Sequence, residues 1–235
     1  MEQQDDLLGL LESDEKPFKE EDKEITKSKP KITRPNLWDK LDFKPRKLEL
    51  SNMSKEGNSF VWYSYLTDGS IPDEIVNKVK ALVKALGGKK FVLRTIGDKT
   101  DKLGIELLNI TECAHEVYLP WRKFNEEITE PKLSYPKAEG YEVAKAYMKN
   151  FDKAPAAVRA INAAYSHSLV GEKCDNQVNF VLCYTDGGAE GFSKTFDYKK
   201  EGRLGYYIAM CNELNIPIFN IKNNDSFKRL VKILS

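Results

Sequence analysis

The chain has 235 residues, 41% of them hydrophobic, which suits one large domain or a domain with a tail and is enough for a real core. Its 37 basic and 36 acidic residues leave a formal net charge of +1, which argues against a dedicated, highly basic nucleic-acid binder but allows a local basic patch. No apolar run approaches the length of a bilayer, and the acidic start "MEQQDDLLGLLESDE" is the opposite of a basic signal-peptide start, so a soluble cytoplasmic protein with no membrane association is expected.

Residues 1–55 differ from the rest. The stretch "DEKPFKEEDKEITKSKPKITRP" is charged, punctuated by proline and poor in aromatic residues. It cannot bury enough apolar surface to offset its ordering entropy, so it reads as a flexible arm ahead of a domain over 56–235. Two apolar islands interrupt it. Leu7, Leu8, Leu10 and Leu11 form one, which suits docking on a protein partner. Leu37, Trp38, Leu41 and Phe43 form the other, at near-helical spacing, and could dock on a partner or fold back on the domain.

Beyond the arm the hydrophobic period changes repeatedly. "SFVWYSYL" (59–66) is strand-like. Ser70, Ile71, Pro72 and Asp73 read as a helix start with a capping serine and a first-turn proline. Ile75, Val76, Val79, Leu82, Val83 and Leu86 share one helical face, and Gly87-Gly88 stops the helix. "KFVLRT" (90–95) is a second strand, residues 101–113 a helix, and "EVYLP" a third strand. Helices are expected near 138–151 and 155–169, split by Pro155. "QVNFVLCYT" (177–185) is the most continuous apolar run and reads as a central strand. After a polar loop come a helix in "GRLGYYIAMCNELN", a fifth strand in "IPIFNI" and a closing helix in "DSFKRLVKIL". Such alternation implies an α/β three-layer sandwich, Rossmann-like, with a mainly parallel sheet of about five strands.

Ligands of such folds bind beyond the carboxyl ends of the strands. The residues there are therefore candidates: Thr67, Asp68 and Ser70; Arg94, Thr95, Gly97 and Asp101; Trp121, Arg122 and Lys123; Thr185, Asp186, Gly202, Arg203 and Gly205. Trp121 can equally pack on the sheet edge, and Arg122 and Lys123 can be a solvated pair or phosphate binders. Arg94 is either paired internally, with Asp98 and Asp101 near in sequence, or holds a ligand. Arg94, Arg122 and Lys123 are expected to converge on one strand-end site. Gly202, Arg203 and Gly205 mark a helix start whose free amides could bind an anion. His167 reads as a surface or capping residue, or as an acid–base group. Cys113, Cys174, Cys183 and Cys211 have no metal-ligand spacing with His115 or His167, so reduced thiols, no metal and no cofactor are expected.

"EVYLPWRKFN" (116–125), "APAAVRAINAAYSHSLVG" (154–171), "FVLCYT" (180–185), "GRLG" (202–205) and "NIPIFNI" (215–221) together resemble, in order, the SLOG superfamily, the Rossmann-like group that contains DprA and the LOG nucleotide hydrolases. The DprA-like proteins of tailed phages resemble the chain most, which would imply a host cytoplasm. Departures are clear. Tyr65, Leu66, Thr67, Asp68 and Gly69 stand where the family has G-I-G-S-R, and the P-G-G-x-G-T turn with its catalytic glutamate is absent. The resemblance implies a nucleotide or nucleotide-derived ligand at the strand ends, without strong catalysis. Its alternatives are a single-stranded nucleic-acid-binding accessory protein, using Lys89, Lys90, Trp121, Arg122, Lys123 and "KPRK" (44–47), or a degenerate scaffold with a filled pocket that binds a host or viral protein through its arm, at Leu7, Leu8, Leu10, Leu11 and Trp38. A homodimer is compatible with this reading.

Overall fold

The computed structural model describes residues 37–41, 58–128, 133–193 and 196–234. The first apolar island, at residues 7–11, and the basic stretch at 44–47 lie outside them. The elements in chain order are α1 (Leu37–Lys40), β1 (Ser59–Tyr65), α2 (Asp73–Gly88), β2 (Val92–Thr95), α3 (Lys102–Leu107), β3 (Ala114–Tyr118), β4 (Leu133–Ser134), α4 (Ala138–Tyr147), a 3-10 turn (Phe151–Lys153), α5 (Ala156–Val170), β5 (Phe180–Thr185), α6 (Tyr198–Glu201), α7 (Leu204–Leu214), β6 (Ile218–Asn220) and α8 (Asn224–Leu234).

The described strands form one sheet in the order β4-β3-β2-β1-β5-β6, parallel at every step. The chain builds outward from β1 to β4 and then returns to place β5 on the other side of β1. The strand order therefore reverses between β1 and β5. Alternation along the strands gives the sheet two apolar faces, as the period of two requires. Phe60, Trp62, Leu93, Val117, Phe180, Leu182 and Phe219 face α2, α3 and α8. Val61, Tyr63, Tyr118, Val181, Cys183 and Ile218 face α4, α5 and α7. The expected three-layer α/β architecture is present, with six strands rather than five. The additional strand, β4, has two residues, too few to show any period.

Three local expectations change. Ser70 does not cap α2: the helix begins at Asp73, its N-cap is Pro72, and no side chain bonds there. A serine two positions upstream of the cap cannot reach the first-turn amides. The helix expected over 101–113 ends at Leu107. Leu37 and Leu41 pack against the second apolar face, and Trp38 is buried in it. Trp38 Nε1 donates to Glu213 Oε1 at 2.9 Å, its ring lies 6.3 Å from that of Tyr147, and Lys40 pairs with Glu142. Trp38 is thus spent on this chain's own core rather than offered to a partner. A domain boundary at 55 cuts α1 away from the surface it covers.

Candidate functional site

The carboxyl ends of β1 and β5 meet where strand order reverses, the place where an open α/β sheet offers its crevice. Here side chains of the chain itself occupy it. Asp186 Oδ2 accepts from the Thr67 amide at 2.6 Å and from Thr67 Oγ1 at 2.5 Å. Those bonds hold the Asp186 carboxyl below its ordinary range. Thr67 and Asp186 were both expected to meet a ligand; they meet each other. Asp68 and Ser70 lie beside them, exposed.

The glycine loop after β5 is also filled from within. Glu201, at the end of α6, is buried. Its carboxyl accepts from the Ala189 amide at 3.0 Å and from the hydroxyl of Thr185. Asn220 Nδ2 donates to that same hydroxyl at 2.7 Å. A Cβ built on Gly187 would lie 1.9 Å from Glu201 Oε1, so the glycine is what lets the carboxyl sit against the loop. A cleft of about 360 Å³ opens beside it, with Glu190, Phe192, Phe196 and Glu201 in its walls. Glu190 is engaged by Arg229 and by the Asn220 amide. A phosphate entering this cleft would meet two carboxyl groups.

The helix start at α7 is closed as well. The Arg203 amide donates to Tyr63 Oη at 2.8 Å, and Arg203 Nη1 donates to Asn162 Oδ1 at 3.1 Å. Gly205 is buried beneath aromatic rings: a Cβ there would meet Tyr198 Cε1 at 2.8 Å and Phe196 Cζ at 3.1 Å. Gly202 adopts φ +56° with the ring of Tyr65 against it. The three residues expected to present an anion site are therefore used in packing.

The candidates after β2 are structural. Asp101 caps α3 by accepting from the Gly104 amide at 2.8 Å, and it also takes Ser64 Oγ at 2.6 Å and Trp62 Nε1 at 3.2 Å. Burial raises its pKa in spite of these bonds. Gly97 has φ +62° and packs where a Cβ would meet Ile128 Cδ1 at 2.5 Å; its carbonyl accepts from Asn125. Thr95 is buried and accepts from the Gly97 amide. Arg94 does not join Arg122 and Lys123. Its side chain pairs with Glu116 at 2.8 Å and donates to the carbonyl of Asn176 at 2.8 Å. Asn176 lies between the end of α5 and the start of β5, on the amino side of the sheet, whereas Arg122 and Lys123 follow the carboxyl end of β3. The internal partner is Glu116 rather than Asp98 or Asp101, because residues opposite each other on neighbouring strands share a face.

His167 is buried rather than on the surface. Its Nδ1 faces the carbonyl of Gly171 at 3.0 Å, and its Nε2 accepts from the Lys137 amide at 3.0 Å. Burial lowers its pKa. Cys113, Cys174, Cys183 and Cys211 are buried and unbridged, and burial pushes the Cys113 thiol up to about 11 and that of Cys174 to about 12. Among the described residues no cluster of potential ligands could hold a metal, and no helix is long and apolar enough to cross a membrane.

The carboxyl edge does carry one coherent surface feature. The exposed large hydrophobic side chains among the described residues are Tyr65 (37%), Trp121 (40%), Phe192 (49%) and Tyr198 (66%). Every one ends or follows β1, β3 or β5. Trp121 stands edge-on to Phe124 at 4.9 Å, and Phe196 stands edge-on to Phe192 at 5.0 Å and to Tyr198 at 4.9 Å. Arg122, Lys123, Lys199 and Lys200 are exposed on the same edge, and none forms an ion pair among the described residues. Trp121, Arg122 and Lys123 of this edge are singled out from the sequence and Tyr65, Phe192 and Tyr198 are passed over, although aromatic residues interleaved with lysine in "GFSKTFDYKK" are a readable signal. No family model matches this chain, and no curated protein or solved structure does either.

Proposed function

We propose that the protein binds single-stranded nucleic acid across the carboxyl edge of its sheet, without catalysis, as a divergent Rossmann-like module related to the SLOG group. The observation that supports this is the placement of Tyr65, Trp121, Phe192 and Tyr198 on one edge with Arg122, Lys123, Lys199 and Lys200. Aromatic rings take unstacked bases with little regard to sequence, and cations beside them follow the phosphates. Nucleotide units remain the ligand class, but the glycine loop is not the expected cradle: Glu201 fills it and Asp186 is tied to Thr67. A free mononucleotide therefore loses its phosphate anchor, while a strand makes several weak contacts at once.

Fluorescence anisotropy with labelled oligothymidylate and with single mononucleotides tests this. Oligonucleotide binding should be far tighter than mononucleotide binding, and Trp121→Ala and Tyr198→Ala should each weaken it by about 1–3 kcal/mol. Tight mononucleotide binding with no preference for the strand would return the site to the strand-end crevice. No binding of either probe would leave the filled-pocket scaffold as the better reading.

A further inference from the structure

A second cleft, of about 430 Å³, is walled by the amino-side loop 171–176, the end of β3 and the edge strand β4, and none of the exposed aromatic residues of the carboxyl edge lines it. Arg94 forms its floor and is 3% exposed. Two of its nitrogens are used, Nε on Glu116 Oε2 and Nη1 on the Asn176 carbonyl. Nη2 has no hydrogen bond among the described residues. Glu116 shows the complementary asymmetry. Its Oε2 accepts from both Arg94 Nε and Tyr118 Oη at 2.8 Å, while Oε1 has no partner among the described residues and the side chain is about one-third exposed.

One ion pair thus presents a charged donor and a charged acceptor side by side at the bottom of a cleft. The remaining charges nearly balance. Glu172 is held by Lys137, which lowers its pKa, and Lys173 and Asp175 are opposite in sign. A simple anion would gain Arg94 and be repelled by Glu116; a simple cation would gain Glu116 and be repelled by Arg94. A guanine edge that sets N1–H and N2–H on the two oxygens of one carboxylate would meet Glu116 with Oε2 already engaged. A ligand that carries a carboxylate and an ammonium a bond or two apart satisfies both groups. We propose that this cleft binds a small zwitterion of the α-amino-acid class, its carboxylate on Arg94 Nη2, its ammonium on Glu116 Oε1, and its side chain along Leu133 and the Gly171 backbone.

The test titrates the full chain by calorimetry with glycine, L-alanine, L-leucine and L-glutamine. Matched controls lacking one charge, L-leucinamide and N-acetyl-L-leucine, and a neutral base, guanosine, are titrated alongside. A free amino acid should bind, removal of either charge should weaken it about tenfold or more, and Glu116→Gln should do the same. Because Arg94 is buried and its replacement can cost the fold, the wild-type chain also supplies a direct reading. In protein labelled with ¹⁵N-arginine, the Arg94 Nε–H resonance should shift with the bound amino acid and not with its amide. Absence of binding by all four amino acids at about 10 mM, far above the range of a specific site, would overturn the proposal. So would binding indifferent to either charge or to Glu116→Gln, or guanosine binding where the amino acids do not.

Discussion

His167 is fixed as a neutral imidazole by the chemistry of its two partners. A carbonyl can only accept and an amide can only donate, so the proton sits on Nδ1 toward Gly171 and Nε2 is the acceptor for Lys137. Protonation would set a second N–H against the Lys137 amide. The folded-state pKa lies below the ordinary 6.5, chiefly through burial. The stability this contributes is complete above 6.5 and is lost as pH falls from there toward the depressed folded value, at up to about 1.4 kcal/mol per pH unit. Asp101, whose pKa burial raises above 3.8, contributes with the opposite sign, its stabilisation complete below 3.8 and lost as pH rises, so the comparison must be differential. Urea unfolding from about pH 7.5 to about pH 5 should show a steeper loss in the wild-type chain than in His167→Gln. Parallel pH profiles would mean that His167 accepts its proton without cost. The spacing of a histidine in "YSHSLVG" could not foretell this. Its environment comes from Gly140, where a Cβ would lie 2.2 Å from Nε2, and from Tyr118, stacked on the ring at 6.0 Å, both remote in sequence. Arg94 is the same kind of case, since its partner Glu116 is set by strand register. Glu201 offers a sharper residue-scale test. Gly187→Ala should cost about 1–3 kcal/mol by overpacking, and in a Glu201→Ala background most of that cost should vanish. Equal costs in the two backgrounds would show that the carboxyl does not fill the loop.

Elements were most legible where periodicity runs long. β5, whose residues are all buried, reads as one apolar run, and α2 declares itself by the stripe Val79, Leu82, Val83 and Leu86. Their ends were less so. Gly87 looks like a helix stop, but what it provides is space: a Cβ there would lie 2.2 Å from the carbonyl of Glu112. The left-handed residue that follows the helix is Lys90, at φ +62°. β4 has no pattern to read. The four residues of α1 illustrate the harder limit, because an amphipathic fragment in a charged stretch fits a partner's groove as well as its own domain. The fold decides for the domain, through Tyr147 and Glu213. Trp38→Ala should therefore destabilise the chain by about 3 kcal/mol, the range for removing a buried aromatic ring. A chain shortened to begin at residue 56 should lose at least as much. Denaturant midpoints that do not move for either variant would show that α1 adds nothing to the core.

At the scale of the whole molecule, near-zero net charge and a nucleic-acid-binding surface are compatible only if cations are segregated from acids. The carboxyl edge achieves this in part, by internal consumption of several carboxylates, while Asp68, Glu126 and Glu127 stay exposed there. Asp186 is tied to Thr67, Asp197 caps α6 through the Lys199 amide, Glu190 pairs with Arg229, and Glu201 is buried. Arg122, Lys123, Lys199 and Lys200 are left facing solvent. The strand order puts β2 and β1 between the β3 end that bears Arg122 and the β5 end that leads to Lys199, a separation of three strand steps. At about 4.8 Å per step that is roughly 14 Å, so a bound strand must cross the edge rather than sit at one point. Each cation that meets a phosphate releases a counterion, with a salt slope of about 0.7 per contact for single strands. All four engaged together predict a log–log slope of about −3 for oligothymidylate binding. Arg122→Glu with Lys123→Glu should weaken binding and flatten that slope by about 1.4 or more, and Lys199→Glu with Lys200→Glu should do likewise. Lys173→Glu, on the amino side, should leave both affinity and slope in place. Anisotropy titrations between about 50 and 200 mM salt measure these slopes. A slope that is the same for all three variants would mean that the strand ends do not carry the contact, and that the aromatic edge serves a protein partner instead.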